Sequence, residues 1–248
     1  MKSFSKLLSI GFIISILFLQ AFSLTADEII DKVDDNMVSS TQQFKAKMSI
    51  KKGKKLLKKE YQGYGQEQDE KFILEFTNSE DLGVKYLKIE GELWIYFPDA
   101  DDVMKISGHM LRQGMMGSDI SYEDMMDLDK LKEKYSTELL GEETYRDSEC
   151  YKIRLIAKVD DVTYYKEELL VDKEKFIILK MDLFAKSGRL LKRIEYFNIQ
   201  KHGEKHYPMK ITIQDMRKKD TLTTVETTEI KFNVEIPKDT FTKQNLFR

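Results

Sequence analysis

The sequence predicts a mainly β fold of the α+β class, and three observations support this prediction. After residue 43, apolar and polar residues alternate with a period of two along most of the chain, as expected for strands with one buried face. Turn-forming residues separate these runs by hairpin-length links, which indicates an antiparallel meander. Strands and helices do not alternate regularly, so doubly wound and TIM-barrel folds are not expected.

The first 23 residues have the composition of an export signal. Two lysines precede an apolar run over residues 7–19, and small residues up to Ser23 stand where a signal peptidase cuts. A second possible cleavage position follows Ala26. A retained membrane anchor is the alternative, but the run is shorter than the ~20 residues that a spanning helix needs. We therefore predict a cleaved signal over residues 1–23 and a single domain over residues 24–248.

The composition argues against several kinds of partner and site. The 41 Lys and Arg residues nearly balance the 43 Asp and Glu residues, whereas nucleic-acid-binding proteins usually show a basic excess. Cys150 is the only cysteine, so an internal disulfide or a cysteine-rich metal centre is excluded. Because it lies far from the signal, a lipidated N-terminal cysteine is not expected. We expect a periplasmic protein without a lipid anchor.

An N-terminal helix should follow the signal. Thr25 and Glu28 match a capping box, in which a hydroxyl and a carboxylate three residues apart satisfy free helix amides. Apolar residues then recur at helical spacing at Ile29, Ile30, Val33, Met37 and Val38. The pattern predicts about four turns with one apolar stripe.

About eleven strands make up the predicted sheet. In the first, from residue 43, the residues Phe44, Met48 and Ile50 share the even-numbered face. The other runs occupy residues 72–76, 84–89, 93–97, 103–106, 150–159, 162–171, 176–184, 190–199, 207–216 and 221–234.

The run at residues 93–97 is apolar on both faces, and its residues are Leu93, Trp94, Ile95, Tyr96 and Phe97. Both faces of such a strand must be covered. The N-terminal helix and the insertion described next are the available covers. The space beneath them is either a filled core or a gap that admits a hydrocarbon chain.

Residues 107–135 interrupt the meander with glycines and a second helical pattern. The apolar positions of this pattern are Tyr122, Met125, Met126, Leu128, Leu131 and Tyr135.

Six of the twelve methionines fall within 23 residues in and just before this insertion: Met104, Met110, Met115, Met116, Met125 and Met126. Methionine adapts to ligands of varied shape, although it also fills ordinary cores. Long insertions of this kind are usually lids or binding loops. Within the insertion, we interpret Ser121, together with either Ser118 or Asp119, as the residues that cap a helix. We interpret Gly117 as a hinge.

No pattern supports catalysis or metal binding. The sequence lacks a G-x-S-x-G nucleophile motif, a Walker A motif and an EF-hand loop. His202 and His206 flank a predicted hairpin turn and lack further ligands nearby. We therefore expect no enzymatic activity, no metal and no cofactor.

A lysine cluster surrounds the first predicted hairpin, with eight lysines within residues 45–59. Lysines on exposed strands protect against edge-to-edge pairing, so a solvated rim is one interpretation. Docking to anionic lipid headgroups, at ~1 kcal/mol per basic residue, is the other.

Several segments resemble the bacterial family of outer-membrane lipoprotein-sorting proteins in the LolA/LolB-like superfamily. They are residues 91–99, 103–106 and 117–124, with residues 24–30 and 236–242 at the two ends. The resemblance implies an unclosed antiparallel β-barrel with helices in its mouth that binds acyl chains. It also implies transfer of lipoproteins, or of another lipid, from an inner-membrane exporter to an outer-membrane acceptor.

On this interpretation the insertion and the N-terminal helix form a lid over an apolar cavity, in a protein expected to be a monomer. A periplasmic sensor of lipid or envelope stress with the same fold is the alternative. The candidate ligand-binding residues are Ile29, Val33, Met37, Phe44, Met48, Ile50, Leu93, Trp94, Ile95, Tyr96, Phe97, Met110, Met115, Met116 and Met125.

Overall fold

The computed structural model describes residues 24–37, 40–66, 70–126 and 131–248. The predicted signal, residues 1–23, lies outside the described residues. Within them, thirteen strands form one antiparallel sheet whose two edge strands do not pair with each other. This is the predicted α+β class, with the sheet forming an unclosed barrel.

Helix α1 (Ala26–Met37) opens the described part of the chain. The first strands of the sheet are β1 (Thr41–Lys52), β2 (Lys55–Gln66), β3 (Lys71–Phe76), β4 (Lys85–Ile89), β5 (Glu92–Phe97) and β6 (Asp102–Ile106). The insertion contains two 3-10 turns, Gly108–Arg112 and Met115–Gly117, and the short helices α2 (Tyr122–Met126) and α3 (Leu131–Lys134). The remaining strands are β7 (Tyr135–Tyr145), β8 (Ser148–Ala157), β9 (Lys166–Asp172), β10 (Ile178–Phe184), β11 (Leu190–His202), β12 (Lys205–Asp215) and β13 (Thr221–Phe232). A 3-10 turn at Lys243–Phe247 follows.

The strand order across the sheet is β6-β5-β4-β3-β2-β1-β13-β12-β11-β10-β9-β8-β7. The chain therefore begins in the middle of the sheet and reaches one edge at β6. It then has to cross to the opposite edge at β7, from which it returns to the middle, where β13 pairs with β1. The insertion makes this crossing, while the other strands are joined by shorter links.

The sequence pattern predicts eleven of these strands and misses β2 and β7. In β2 the alternation is obscured because Lys59, Gly63 and Gly65 occupy buried positions. Strand β7 begins at Tyr135, which the pattern placed on a continuing helix. Gly141 lies inside β7 at a register irregularity with a φ of +138°. Leu128, from the same helical pattern, is outside the described residues.

Helix α1 has the predicted capping box. The Thr25 amide donates to Glu28 Oε2 at 2.8 Å, and the Glu28 amide donates to Thr25 Oγ1 at 3.2 Å. Ile29, Ile30 and Val33 are fully buried against residues of β8 and β9. The helix thus covers one half of the sheet face that we call the inner face. Its far end is fixed to β12, because the His206 amide donates to Asn36 Oδ1 at 2.8 Å.

The other face of β5, the outer face, is covered by the segment that contains Phe241 and Leu246. The sequence pattern does not identify this segment as a cover. Trp94 and Tyr96 belong to an apolar cluster that contains Leu246 and Phe241. Strand alternation is the reason: Leu93 and Ile95 point to the inner face, so their neighbours point outward. Trp94 and Tyr96 therefore lie on the opposite face from Leu93 and Ile95, apart from the other predicted site residues.

Replacing Leu246 with alanine should destabilise the fold and loosen the cover over Trp94. Leu246 is fully buried, and truncating a buried leucine to alanine costs about 2–5 kcal/mol. Denaturation followed by the emission of Trp94, the sole tryptophan, should show a lower free energy of unfolding and a red-shifted native spectrum. Gln244→Ala, at an exposed position of the same turn, serves as the control. Equal losses in both variants would contradict the assigned role of Leu246.

Candidate functional site

The inner face of the sheet is apolar, and two separate covers lie on it. Helix α1 covers the half formed by β7–β10, and the insertion covers the half formed by β1–β6. Beneath the insertion, Met48, Ile50 and Leu93 are at most 1% exposed. These three residues belong to one apolar cluster that also contains Met115 and Met125 of the insertion. The two covers thus bury two apolar clusters on one continuous face.

A row of aromatic rings connects the sheet with the insertion. Neighbouring ring centroids lie 6.2 Å apart for Phe44 and Tyr61, 5.5 Å for Tyr61 and Phe76, and 6.0 Å for Phe76 and Tyr86. Tyr86 continues the row to Tyr122 of α2 at 5.9 Å, and their hydroxyl oxygens are 3.2 Å apart. Burial raises the pKa of Tyr86, so this hydroxyl stays protonated and available for the hydrogen bond.

Asp119 fixes the insertion to the sheet at one end of β13. Its side chain is buried, with 4% of the residue exposed. The Asp119 amide donates to Thr223 Oγ1 at 2.8 Å, and that hydroxyl donates back to Asp119 Oδ2 at 3.2 Å. Lys218 Nζ lies 3.3 Å from the other carboxylate oxygen. Asp119 therefore joins the insertion to the sheet and does not cap a helix.

Asp124 makes the second attachment and also caps α2. The Ser121 amide donates to Asp124 Oδ2 at 2.6 Å, and the Asp124 amide donates to Ser121 Oγ at 3.3 Å. The Tyr164 hydroxyl donates to Asp124 Oδ1 at 2.6 Å, and the buried Lys192 of β11 forms an ion pair with Oδ2. Ser121 is thus the predicted cap. We call Asp119 and Asp124 with their partners on the sheet the polar anchor.

The segment around Asp119 is hydrogen-bonded mainly to itself. The Met115 amide donates to the Ile120 carbonyl at 2.8 Å, and the Tyr122 amide donates to the Gln113 carbonyl at 3.0 Å. Gly114 is needed for this closed loop, because a Cβ there would lie 2.1 Å from the Ser118 carbonyl oxygen. This closed loop contains Asp119, so the polar anchor attaches the loop as a unit to the sheet.

Most of the predicted site residues meet beneath the two covers. Phe44, Met48, Ile50, Leu93, Ile95, Met110, Met115, Met116 and Met125 share the cluster under the insertion. Ile29 and Val33 lie in the other cluster under α1, and the Met37 side chain is outside the described part. Phe97, by contrast, is 37% exposed at the end of β5 and belongs to neither cluster. The structure therefore does not bring Phe97 together with the other predicted site residues.

Half-buried residues in the middle of the sheet were not included in the sequence-based site. Tyr61, Ile194 and Ile211 pack at the margin of the cluster under the insertion, and Tyr196 packs at the margin of the cluster under α1. Tyr196 pairs with Ile211 across β11 and β12. We call these four residues the inner strip. The period-two pattern could have placed all but Tyr61 on the same face as Ile213.

The space beneath the covers is filled by the side chains of the protein itself. Ile29, Met48 and Leu93 are fully buried, and Met115 is 3% exposed. Of the two alternatives that the sequence left open, the filled core is the one observed around these residues. A cavity of about 460 Å³ lies instead on the outer face, between β1–β3 and residues 237–248. An apolar guest that contacts Ile29, Met48 or Leu93 would therefore have to displace a cover.

Two further features concern only the described residues. They contain no group of three His, Cys, Asp or Glu side chains placed to hold a metal ion. No helix among them combines the length and the apolar composition that crossing a bilayer requires.

The ionisation of Asp215, which neighbours the polar anchor, should make stability depend on acidic pH. Burial would raise the pKa of Asp215, but hydrogen bonds from Arg217, at 2.8 and 2.9 Å, lower it to about 2 from 3.8. The folded pKa lies below the unfolded value, so this contribution is present above pH 4 and lost between about pH 4 and pH 2. The melting temperature should fall across this window.

The variant Asp215→Asn should melt at a lower temperature at neutral pH and show a shallower decline between pH 4 and pH 2. Asp220→Asn, at an exposed position of the adjacent turn, should follow the unmodified protein. Parallel pH profiles for all three proteins would contradict the assignment to Asp215.

Three solved structures share this fold. A DUF1329 family protein from Desulfovibrio piger has a TM-score of 0.81 and 23% identity. A domain assigned to outer-membrane lipoprotein sorting from Vibrio parahaemolyticus has a TM-score of 0.78 and 19% identity. A LolA superfamily protein from Nitrosomonas europaea has a TM-score of 0.73 and 23% identity. Each match covers 90% of this chain and 100% of the other chain, which confirms the LolA-like fold that the resemblance implied.

A comparison with curated protein sequences finds no match to the chain. A family model described as an uncharacterized protein matches residues 68–248. Because this match spans more than half of the chain, the protein belongs to that family of uncharacterized proteins, and its fold is LolA-like.

Proposed function

We propose that this protein is a periplasmic carrier that binds the acyl chains of a lipoprotein, or of another lipid, on the inner face of its sheet. The observation that carries the proposal is the combination of a largely apolar face with a methionine-rich cover. That cover is attached to the sheet through localised polar contacts at Asp119 and Asp124. The role is binding and transfer, without catalysis.

The physical need for such a carrier follows from the cost of exposing acyl chains to water. Each CH₂ group in water costs ~0.8 kcal/mol, so one long chain costs on the order of 10 kcal/mol. A lipid therefore cannot cross an aqueous compartment unaided. Displacing the insertion would expose Met48, Ile50 and Leu93, and these residues offer the guest an apolar surface in exchange.

The close packing between the insertion and the sheet suits reversible transfer. When the lipid leaves, Met115, Met116 and Met125 can return to the sheet and bury the same apolar surface. Because methionine side chains are unbranched and polarizable, they can pack against either a guest or the sheet. Release then needs only an acceptor that holds the lipid slightly better, and it needs no ATP. An inner-membrane exporter and an outer-membrane acceptor would be the two partners.

Native mass spectrometry of the protein purified without detergent tests the proposal directly. A carrier should retain a lipid or an acylated protein, or should take up a fluorescent fatty-acid probe after delipidation. A protein that purifies empty and takes up no probe would contradict lipid binding.

The variant Met116→Asp should bind the fatty-acid probe at least about tenfold more weakly, because a carboxylate beside a buried acyl chain costs more than 1.4 kcal/mol. Met116 is half-buried with a φ of 51°, a backbone region that aspartate tolerates. Stability should therefore change little. Met216→Asp, at an exposed position, provides the matched control. Equal loss of stability and of probe binding at Met116 would indicate plain core packing.

Removing the ion pair of the polar anchor should speed entry of the probe. In the double variant Asp124→Asn/Lys192→Met neither charge is left buried without its partner. If the insertion must move before a lipid enters, stopped-flow uptake should accelerate about tenfold for each 1.4 kcal/mol removed from the barrier. The control is Glu123→Gln, whose carboxylate contacts Arg112 within the insertion at 3.8 Å. Unchanged uptake in the double variant would contradict a moving insertion.

A further inference from the structure

Two hairpin turns meet at one end of the sheet and form a continuous surface. The turn between β1 and β2 lies against the turn between β12 and β13, because the Gly53 amide donates to the Asp220 carbonyl at 2.8 Å. We call residues 51–58 and 216–220 together the basic tip. The first segment contains five lysines and no acidic residue, and the second contains one arginine and two lysines against one aspartate.

The charges of the basic tip differ from those of the same strands further from the turns. In the body of the sheet, cross-strand partners neutralise the lysines, as in Lys45 with Glu229 at 3.0 Å and Lys47 with Glu60 at 3.3 Å. At the tip, no carboxylate of the described residues forms an ion pair with the exposed ammonium groups of Lys51, Lys52, Lys54, Lys55, Lys58 and Lys219. Protein surfaces usually intersperse the two signs of charge, so this concentration points to an anionic partner.

An exposed apolar side chain lies among these lysines. Leu56 is 56% exposed and pairs with Lys51 across the hairpin, while Met216 of the second turn is 37% exposed. An apolar residue surrounded by lysines suits the boundary between lipid headgroups and acyl chains, where both groups find a favourable environment.

We propose that the basic tip docks onto the anionic headgroup surface of a lipid bilayer. Lysine is a flexible point charge that matches a fluid array of phosphates, and each lysine near such a surface contributes ~1 kcal/mol. A nucleic acid is disfavoured because neither segment of the tip contains an aromatic residue for base stacking. The exposed Leu56 favours a bilayer over an acidic protein surface, since it can insert between headgroups.

The basic tip also touches the polar anchor, which would couple docking to lipid transfer. Lys218 binds both Asp119 and Asp215 at 3.3 Å. Lys52 Nζ passes close to Gly117, where an added Cβ would lie 2.9 Å away. Lipid phosphates that compete for these ammonium groups would weaken the attachment of the insertion. This coupling rests on the proposed carrier function, whereas docking itself does not.

Vesicle co-sedimentation tests the docking. The protein should bind vesicles of phosphatidylcholine with phosphatidylglycerol, bind weakly to phosphatidylcholine alone, and dissociate as salt rises. Replacing Lys51, Lys54, Lys55 and Lys58 with glutamine should weaken binding at least about tenfold. In the matched control variant, glutamine replaces four other exposed lysines: Lys186, Lys201, Lys231 and Lys238. This variant should bind the vesicles like the unmodified protein.

At high salt, where the charge contribution is screened, the variant Leu56→Ser should bind the anionic vesicles more weakly than the unmodified protein does. Binding that is equal for both lysine variants, or equal for the two vesicle types, would overturn the proposal. Uptake of the fatty-acid probe in solution is measured on the same variants. If the tip variant loses vesicle binding but keeps probe uptake, docking and the carrier site are separate, and a protein without probe uptake can still confirm docking.

Discussion

The structure depends on one topological constraint: the chain must travel from β6 to β7, which are opposite edges of the same sheet. Each of the other connections joins strands that are neighbours in the sheet. A connection between the edges cannot be a tight turn, and it has to pass over a face of the sheet that would otherwise be exposed. The insertion takes this route across the inner face, and its apolar residues bury that face. The strand order thus requires a long connection at this point, and this connection supplies the cover of the candidate site.

The two covers differ in how they are held. Helix α1 is attached to the sheet at both ends. Asp27 accepts a hydrogen bond from the Thr137 hydroxyl of β7, and Asn36 accepts one from the His206 amide of β12. Between these contacts the helix buries two fully covered isoleucines. The insertion has its charged contacts with the sheet at Asp119 and Asp124, whereas Met110 and Met116 remain half-buried. Local stability is lowest where few apolar contacts are buried and many backbone hydrogen bonds are exposed to solvent. The insertion is therefore the cover more suited to movement.

The sequence predicts those parts of the fold that local patterns determine. The capping box, most strands and the insertion follow from hydrogen-bonding chemistry and periodicity, and so do the Met48 and Ile50 positions beneath the cover. The sequence pattern fails where tertiary contacts override it. Lys59 occupies a buried position because its Nζ forms an ion pair with Asp81 Oδ2 at 2.5 Å. Strand β7 begins inside a helical pattern. The sequence does not show that Trp94 and Tyr96 lie on the outer face, because the segment that covers them, around Leu246, is far away in sequence. Periodicity identifies a buried face but does not show which segment buries it.

The division of residue types along the insertion explains how one segment can be both attached and displaceable. A buried carboxylate that loses its lysine is strongly destabilising, so Asp119 and Asp124 hold a defined position on the sheet. The methionines make contacts of nearly equal quality in many geometries, so Met115 and Met116 favour burial without favouring one arrangement. With only charged contacts the insertion would be rigid, and with only methionines it would have no fixed register. Because Lys218 belongs to the polar anchor and also to the basic tip, the attachment of the cover can respond to what the tip contacts.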